Sequence, residues 1–319
     1  MRDFLFTYDD ICLRPKHSEL KSRAIADTSV EFLGHKFKLP IHPANMQDVI
    51  SIPIAEQLSS ENYFYIYHRF GNYEAMPPIH SFIGNANDNN WKLISSSIGV
   101  GSKSLSILDD IRNDDYRVDM WTVDVAHADH DNVKPIISFL KNNFPTSKII
   151  AGNVATAAGY KFLCDLGVDA VKVGIGGGSI CSTRYKTGFH VPTAYSVWDC
   201  ATNGERDVPI IADGGATHFG DVAKALVLGA DMVMSGRWFA ECIDSPARIK
   251  DGKKIYRGST SFESKGHKNH IEGHTLAINE GCTYTERLQE IKQALQSSIS
   301  YAGGKDLSCF NTVEWGLLK

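Results

Sequence analysis

Between Lys172 and Gly188 the chain reads KVGIGGGSICSTRYKTG: glycines crowd the end of a short apolar strand, and Cys181 stands two residues ahead of Thr183. A glycine inside a regular element costs roughly 0.5–1 kcal/mol against alanine, so this density marks backbone held close to a phosphate, an ion or a strained nucleophile turn. A helical turn is expected just after Cys181, and its backbone N–H groups favour a thiolate over the free thiol, whose ordinary pKa is about 8.5. A thiolate is a covalent nucleophile toward an electron-poor carbon. Thr183 is placed to orient a water or a leaving group. The plain alternative is a small buried cysteine, the reading for most of the seven in this chain, which contain no Cys-x-x-Cys pair to suggest zinc or a redox dithiol.

A second group lies in VPIIADGGATHFGDVAKAL: a strand end, Asp213, the pair Gly214 and Gly215, then a helix start. An acid there can accept both hydroxyls of a ribose, and glycine amides can hold a phosphate. MVMSGR, with Gly236 and Arg237, offers the other half of such a cradle. Asp-Gly-Gly on its own is also an ordinary turn.

These residues need a scaffold that brings strand ends together. Eight apolar or β-branched runs, at 39–45, 63–68, 92–99, 120–126, 147–154, 169–176, 208–215 and 231–236, alternate with stretches whose apolar spacing of three to four suits helices with one buried face. That alternation predicts an α/β fold, a (β/α)8 TIM barrel; an open doubly wound sheet is the alternative. Polar or glycine residues follow almost every run, among them Asn45, His68, Asp124 and Asn153. In a barrel those positions form the catalytic face. Residues 251–275 are polar and aperiodic and read as a mobile active-site loop, while 283–304 reads as a helix closed by glycine.

Bulk properties narrow the class. With 43% hydrophobic and 22% charged residues the chain is neither disordered nor a membrane protein. A net charge of −4 gives no general attraction to nucleic acid, so any phosphate site must be local. MRDFLFTYDD carries acids where a signal peptide needs a basic and then an apolar stretch, so a cytoplasmic protein is expected. Residues 1–319 are read as a single catalytic domain with no inserted module.

Taken together the motifs resemble the IMP dehydrogenase and GMP reductase family. The matches are YDDICLRPKHSELKSR, PANMQD, YFYIYHRF, DVAH, AGNVAT, VGIGGGSICSTRYKTG, PIIADGG, GDVAKAL, YRGSTS, IEG and SSISYAGG, in order along nearly the whole chain. The dehydrogenases usually carry regulatory modules after the early strands and a long flap with an Arg-Tyr pair; this chain has no room for the former, and its loop between YRGSTS and IEG lacks the latter. Lys186-Thr187-Gly188 looks like the reductase side of the family. The activity implied is NADPH-dependent reductive deamination of GMP to IMP and ammonia. Cys181 would attack C2 of guanine to form a thioimidate, and Thr183 and Glu272 would help ammonia leave.

The resemblance also implies a set of binding residues. Ser179, Asp213, Gly214, Gly215, Gly236 and Arg237 match ribose and phosphate positions, and Gly258, Ser259 and Thr260 match a base-contacting turn. Asp124, Ala126 and His127 match the nicotinamide side, joined by Ser22, Arg23, Ser300 and Tyr301 for the cofactor. Carbonyls of Gly176, Gly178 and Cys181 match a monovalent-cation site, usually potassium. The SSISYAGG segment, which in the family reaches a neighbour's cofactor site, implies a homotetramer.

Three departures stand out. Gly177 replaces a proline, which is expected to loosen the loop; His190 with VPTAY replaces a glycine-rich stretch; and SGRWFAEC replaces a Gly-Ser or Gly-Gly half-site. Arg237 binds phosphate through its fork, fills the pocket, or selects a different or modified purine nucleotide. The competing functions are an IMP dehydrogenase lacking its modules, a non-catalytic purine-nucleotide binding protein, and another phosphate-binding barrel enzyme, for which Lys172 alone is a poor match.

Overall fold

The computed structural model describes residues 4–70, 79–258, 261 and 272–318. The chain opens with β1 (Ile11–Leu13), the paired β2 (Val30–Phe32) and β3 (His35–Phe37), and β4 (Ile41–Pro43). Then come β5 (Ser95–Ile98), β6 (Met120–Asp124), β7 (Lys148–Val154), β8 (Ala170–Val173), β9 (Ile210–Asp213) and β10 (Met232–Ser235). In space β4 to β10 form one curled sheet in the order β4-β10-β9-β8-β7-β6-β5, with every neighbouring pair parallel. The remaining stave is the buried segment 63–68. The Tyr67 amide donates to the Ser95 carbonyl (2.9 Å) and the Ser97 amide to the Tyr67 carbonyl (2.8 Å). Toward β4 the seam is aromatic, with the Phe64 ring edge-on to His42 at 4.6 Å. The fold is the (β/α)8 barrel rather than the open sheet, and the second stave is a single bridge where a strand was expected.

The helices are α1 (Ile52–Ser60), α2 (Ile79–Asp88), α3 (Ser102–Asn113), α4 (Lys134–Asn143), α5 (Ala157–Asp165), α6 (Thr183–Thr187), α7 (Thr193–Asn203), α8 (Gly220–Val227), α9 (Arg237–Ala240) and α10 (Tyr284–Tyr301). Local chemistry explains their starts. The Thr156 hydroxyl accepts the Gly159 amide at the head of α5 (3.2 Å). Thr283 and Glu286 form a reciprocal capping box ahead of α10. Asp221, in the first turn of α8, accepts the amides of both Thr217 and His218 at 2.9 Å. The buried face of α10 is Leu288, Ile291, Leu295 and Ile299, spaced three and four apart, as a one-sided helix requires.

The 251–275 stretch differs from the loop expected there. It contains β12 (Lys253–Arg257) and the start of β13 (Thr275–Ile278), which with the preceding β11 (Arg248–Lys250) make an antiparallel sheet, while 259–260 and 262–271 lie outside the described residues. Polar composition disguised β12 because Lys254 is buried and Arg257 half-buried, each with partners. Lys254 donates to the Ser245 hydroxyl (2.8 Å), the Ser245 carbonyl (3.0 Å) and the Ile243 carbonyl (3.1 Å). Arg257 grips Asp48, which also accepts its amide at 2.8 Å, so β12 is tied to the loop after β4. The last strand, β14 (Trp315–Leu317), pairs antiparallel with β1. Among the described residues no helix is long and apolar enough to cross a membrane.

Tyr160 of α5 organises the entry to β9. Its hydroxyl donates to the Val208 carbonyl (2.6 Å) and accepts the amides of Val208 (2.9 Å) and Asp207 (3.1 Å). Tyr160→Phe strands those groups, so urea denaturation should read a loss of about 1–3 kcal/mol. An unchanged midpoint would mean that water takes over all three bonds.

Candidate active site

The strand ends open onto one cavity of about 770 Å³, within the range of sites that enclose a small ligand. Cys181, Thr183 and Glu272 meet on its wall. The Cys181 thiol donates to the Thr183 hydroxyl at 3.2 Å, and that hydroxyl donates to a Glu272 carboxylate oxygen at 2.7 Å. Backbone pairing fixes Glu272 against the cysteine loop: the Ser182 amide donates to the Glu272 carbonyl (2.7 Å), the His274 amide to the Ile180 carbonyl (3.0 Å), and Cys181 bridges to Gly273. Thr183 begins α6, so the chain turns helical just past the thiol, where that turn was expected. The arrangement is a thiol–hydroxyl–carboxylate relay facing a cavity, able to draw the thiol proton toward the carboxylate and to return it.

Of the other expected site residues, Ser179, Asp213, Gly214, Gly215, Gly236, Arg237 and Gly258 line the same cavity, as do Asp124 and Ala126. Ser259 and Thr260 lie outside the described residues. His127, exposed one position beyond Ala126, does not line the cavity. Ser22, Arg23, Ser300 and Tyr301 gather elsewhere, at the end of α10. There the Arg23 guanidinium donates to Ser297 (3.1 Å), Ser18 and Ser300 share a hydrogen bond (3.3 Å), and the Tyr301 ring is exposed.

The glycines answer to each other. A Cβ on Gly174 would stand 2.1 Å from the Asp213 carbonyl oxygen, so the first glycine run lies directly on the strand end that carries the second. A Cβ on Gly177 would sit 2.3 Å from the Thr193 hydroxyl. The loop is therefore packed and not loosened: Thr193, from the altered stretch after His190, fills the space, and two of the departures form one contact.

Gly176, Gly178 and Cys181 line a second cavity of about 440 Å³ on the other side of this loop. The Gly178 carbonyl already accepts the Cys181 amide at 3.0 Å and keeps one lone pair. Thr193, which lines the same cavity, has a buried hydroxyl without a hydrogen-bond partner. An all-oxygen donor set of this kind fits a hard cation and lacks the nitrogen and sulfur ligands that zinc or copper takes. Among the described residues no group of three His, Cys, Asp or Glu could hold a metal ion.

Sequence reasoning passed over the group beneath the relay. Lys172, set aside as a catalytic lysine, is 2% exposed and joins two strand-end acids: its ammonium lies 2.9 Å from Asp124 and 3.1 Å from Asp213. Asn153 donates to the same Asp213 oxygen (2.8 Å) and to the Gly174 carbonyl (2.7 Å). Arg69 stands 3.7 Å from Asp124. Asn153, within AGNVAT, was noted as strand-end punctuation, and Arg69, within YFYIYHRF, was given no role of its own. Burial works against the charged form of Asp124, but Lys172 first and Arg69 second outweigh it and hold the carboxyl below its ordinary value. Burial likewise pulls Lys172 down, and its two carboxylates more than offset that.

A carboxyl lowered on folding stabilises the protein above its unfolded pKa, and that contribution is lost as pH falls through the folded value. Lys172→Met leaves Asp124 and Asp213 facing each other, so stability at neutral pH should fall by about 3–5 kcal/mol. The deficit should shrink toward pH 4 as a carboxyl takes up a proton; a gap constant between pH 7 and pH 4, in denaturant titrations, would assign the loss to packing alone.

Comparison with known proteins agrees with this geometry. The family model described as the IMP dehydrogenase / GMP reductase domain matches residues 5–314. A GMP reductase of Oceanobacillus iheyensis is 41% identical over 99% of this chain and 96% of its own length. Those of Pediococcus pentosaceus and Staphylococcus aureus are 40% and 38% identical, each over 99% of this chain and 97% of theirs. With a barrel whose strand ends carry the cysteine relay and two glycine loops, and with matches of this length, the chain belongs to the IMP dehydrogenase / GMP reductase family.

Proposed function

We propose that this chain catalyses the NADPH-dependent reductive deamination of GMP to IMP and ammonia, as one catalytic domain over residues 1–319. The observation that carries the reading is the Cys181–Thr183–Glu272 relay on the wall of a nucleotide-sized cavity. Relatives named GMP reductase share nearly the full length. A binding protein has no chemical need for a nucleophile hydrogen-bonded through a hydroxyl to a carboxylate, so the relay favours an enzyme.

Glu272, through Thr183, takes the thiol proton as the Cys181 sulfur attacks C2 of the guanine ring. The same pair returns a proton to the departing nitrogen as the C2–N bond breaks, so ammonia leaves and C2 stays on sulfur as a thioimidate. A nicotinamide, which Asp124 and Ala126 would border, would supply the hydride for C2. Cys181 then departs as thiolate and regains its proton from solvent, passed through Glu272 and Thr183. Asp213, fixed by Lys172 and Asn153, is the acceptor for the ribose hydroxyls, and Ser179 with Gly214, Gly215 and Gly236 borders the phosphate. Gly258, Ser259 and Thr260 belong to the base-contacting turn. Asp124 and Ala126, with His127 beside them, belong to the nicotinamide side.

The cluster of Ser22, Arg23, Ser300 and Tyr301 lies off the cavity wall within one chain, which suits a role at a neighbour's cofactor in a homotetramer. The oxygen-lined cavity behind Gly176, Gly178 and Cys181 suits a potassium ion.

Nicotinamide absorbance with GMP, NADPH and potassium tests the reading. Cys181→Ala should slow GMP-dependent oxidation by on the order of 10⁴-fold or more, and Glu272→Gln or Thr183→Val by about 10²–10⁴-fold. Undiminished turnover in Cys181→Ala, or reduction of NAD⁺ by IMP in place of GMP-dependent oxidation, would sink it.

A further inference from the structure

Past Gly236 the cavity continues to a cluster that the relay does not use. Arg237 donates through Nε to one oxygen of Glu241 at 2.9 Å, and Arg287 of α10 approaches the other oxygen at 3.8 Å. All three line the cavity that holds Cys181. One carboxylate thus bridges two guanidiniums, with an oxygen toward each, which is how a phosphoryl group would sit between them. Arg287 is 13% exposed, covers the Phe219 ring at 5.7 Å, and keeps a buried Nε without a hydrogen-bond partner. Its other ion pair, to Glu290 at 3.3 Å, involves a half-exposed carboxylate that solvent screens.

The amides of Thr217 and His218, at the head of α8, are already committed to Asp221. Charge for an anion at this end must therefore come from the arginines. The glycine loops and Ser179 already border the place of one phosphate, so the two guanidiniums exceed what a monophosphate needs.

We propose that Arg237 and Arg287 form a second phosphoryl subsite in which Glu241 holds the place of the ligand, and that the site accepts a purine nucleoside 5′-diphosphate. The proposal rests on the purine-nucleotide reading above and deepens it. Arg237, noted above within SGRWFAEC, and Glu241, four residues later in the same stretch, are two halves of one device: the carboxylate neutralises the clamp at rest and swings off when a phosphoryl group replaces it.

Calorimetric titration of the full chain with GMP, GDP and inorganic pyrophosphate tests this. GDP should bind roughly tenfold or more tightly than GMP. Arg237→Ser and Arg287→Gln should each erase that advantage, and Glu241→Gln should widen it. Arg237 is exposed, so its variant keeps the test readable if Arg287→Gln does not fold. Equal or weaker binding of GDP in the parent chain, or an advantage that survives the loss of Arg237, would overturn the subsite. If neither nucleotide binds while pyrophosphate binds in an Arg237-dependent manner, the subsite stands and the purine reading falls. Pyrophosphate binding that is absent or indifferent to Arg237, alongside that failure, would overturn the subsite as well.

Discussion

The ammonium of Lys172, buried between Asp124 and Asp213, joins the C-terminal ends of β6, β8 and β9 across the mouth of the barrel. A charge so placed is tolerable only with close, well-directed partners, because removing either member would leave an uncompensated ion in a poorly hydrated space. Three strand ends are thereby fixed relative to one another. Asn153, from β7, adds a fourth by bonding both Asp213 and the Gly174 carbonyl. Both glycine loops begin at these clamped ends, so their mutual packing inherits the clamp's precision.

The reactive group is assembled on that frame from residues 89 positions apart. Thr183 follows Cys181 closely in the chain, but Glu272 arrives from the far side of β12 and is held by backbone pairing to the cysteine loop. A carboxylate carried by a peripheral sheet, with strand β12 anchored on Asp48, can be placed without strain in the barrel itself. The barrel supplies rigidity, and the appended sheet supplies the carboxylate that meets the Thr183 hydroxyl.

Departures from the family pattern come in physically coupled pairs. Gly177, lacking a side chain, makes room for the Thr193 hydroxyl. Arg237 is met by Glu241 one helical turn later. Each member alone reads as an irregularity, and its partner supplies the reason: a volume filled in the first case, a charge balanced in the second. The altered segments are thus internally consistent in packing and in charge.

Much of the barrel was legible in the chain because it depends on local rules: alternating apolar periodicities, the Thr283–Glu286 cap of α10, glycine after strands, and a thiol ahead of a helical turn. Segment 63–68 was read as a strand from its aromatic run, yet in space its rings close the seam with β4. The polar 251–275 stretch concealed a strand, because the buried Lys254 and half-buried Arg257 find acceptors that lie at positions 243–245 and 48. Lys172 and Arg287 show the same limit. Residue types, order and spacing determined the fold class, the helical turn after Cys181 and the glycine loops, since those follow from short-range backbone and side-chain preferences. Which carboxylate meets the thiol, which acids neutralise the buried lysine and which arginines share one glutamate were decided by tertiary structure, because charge and hydrogen bonding act over a few ångströms in space whatever the separation along the chain.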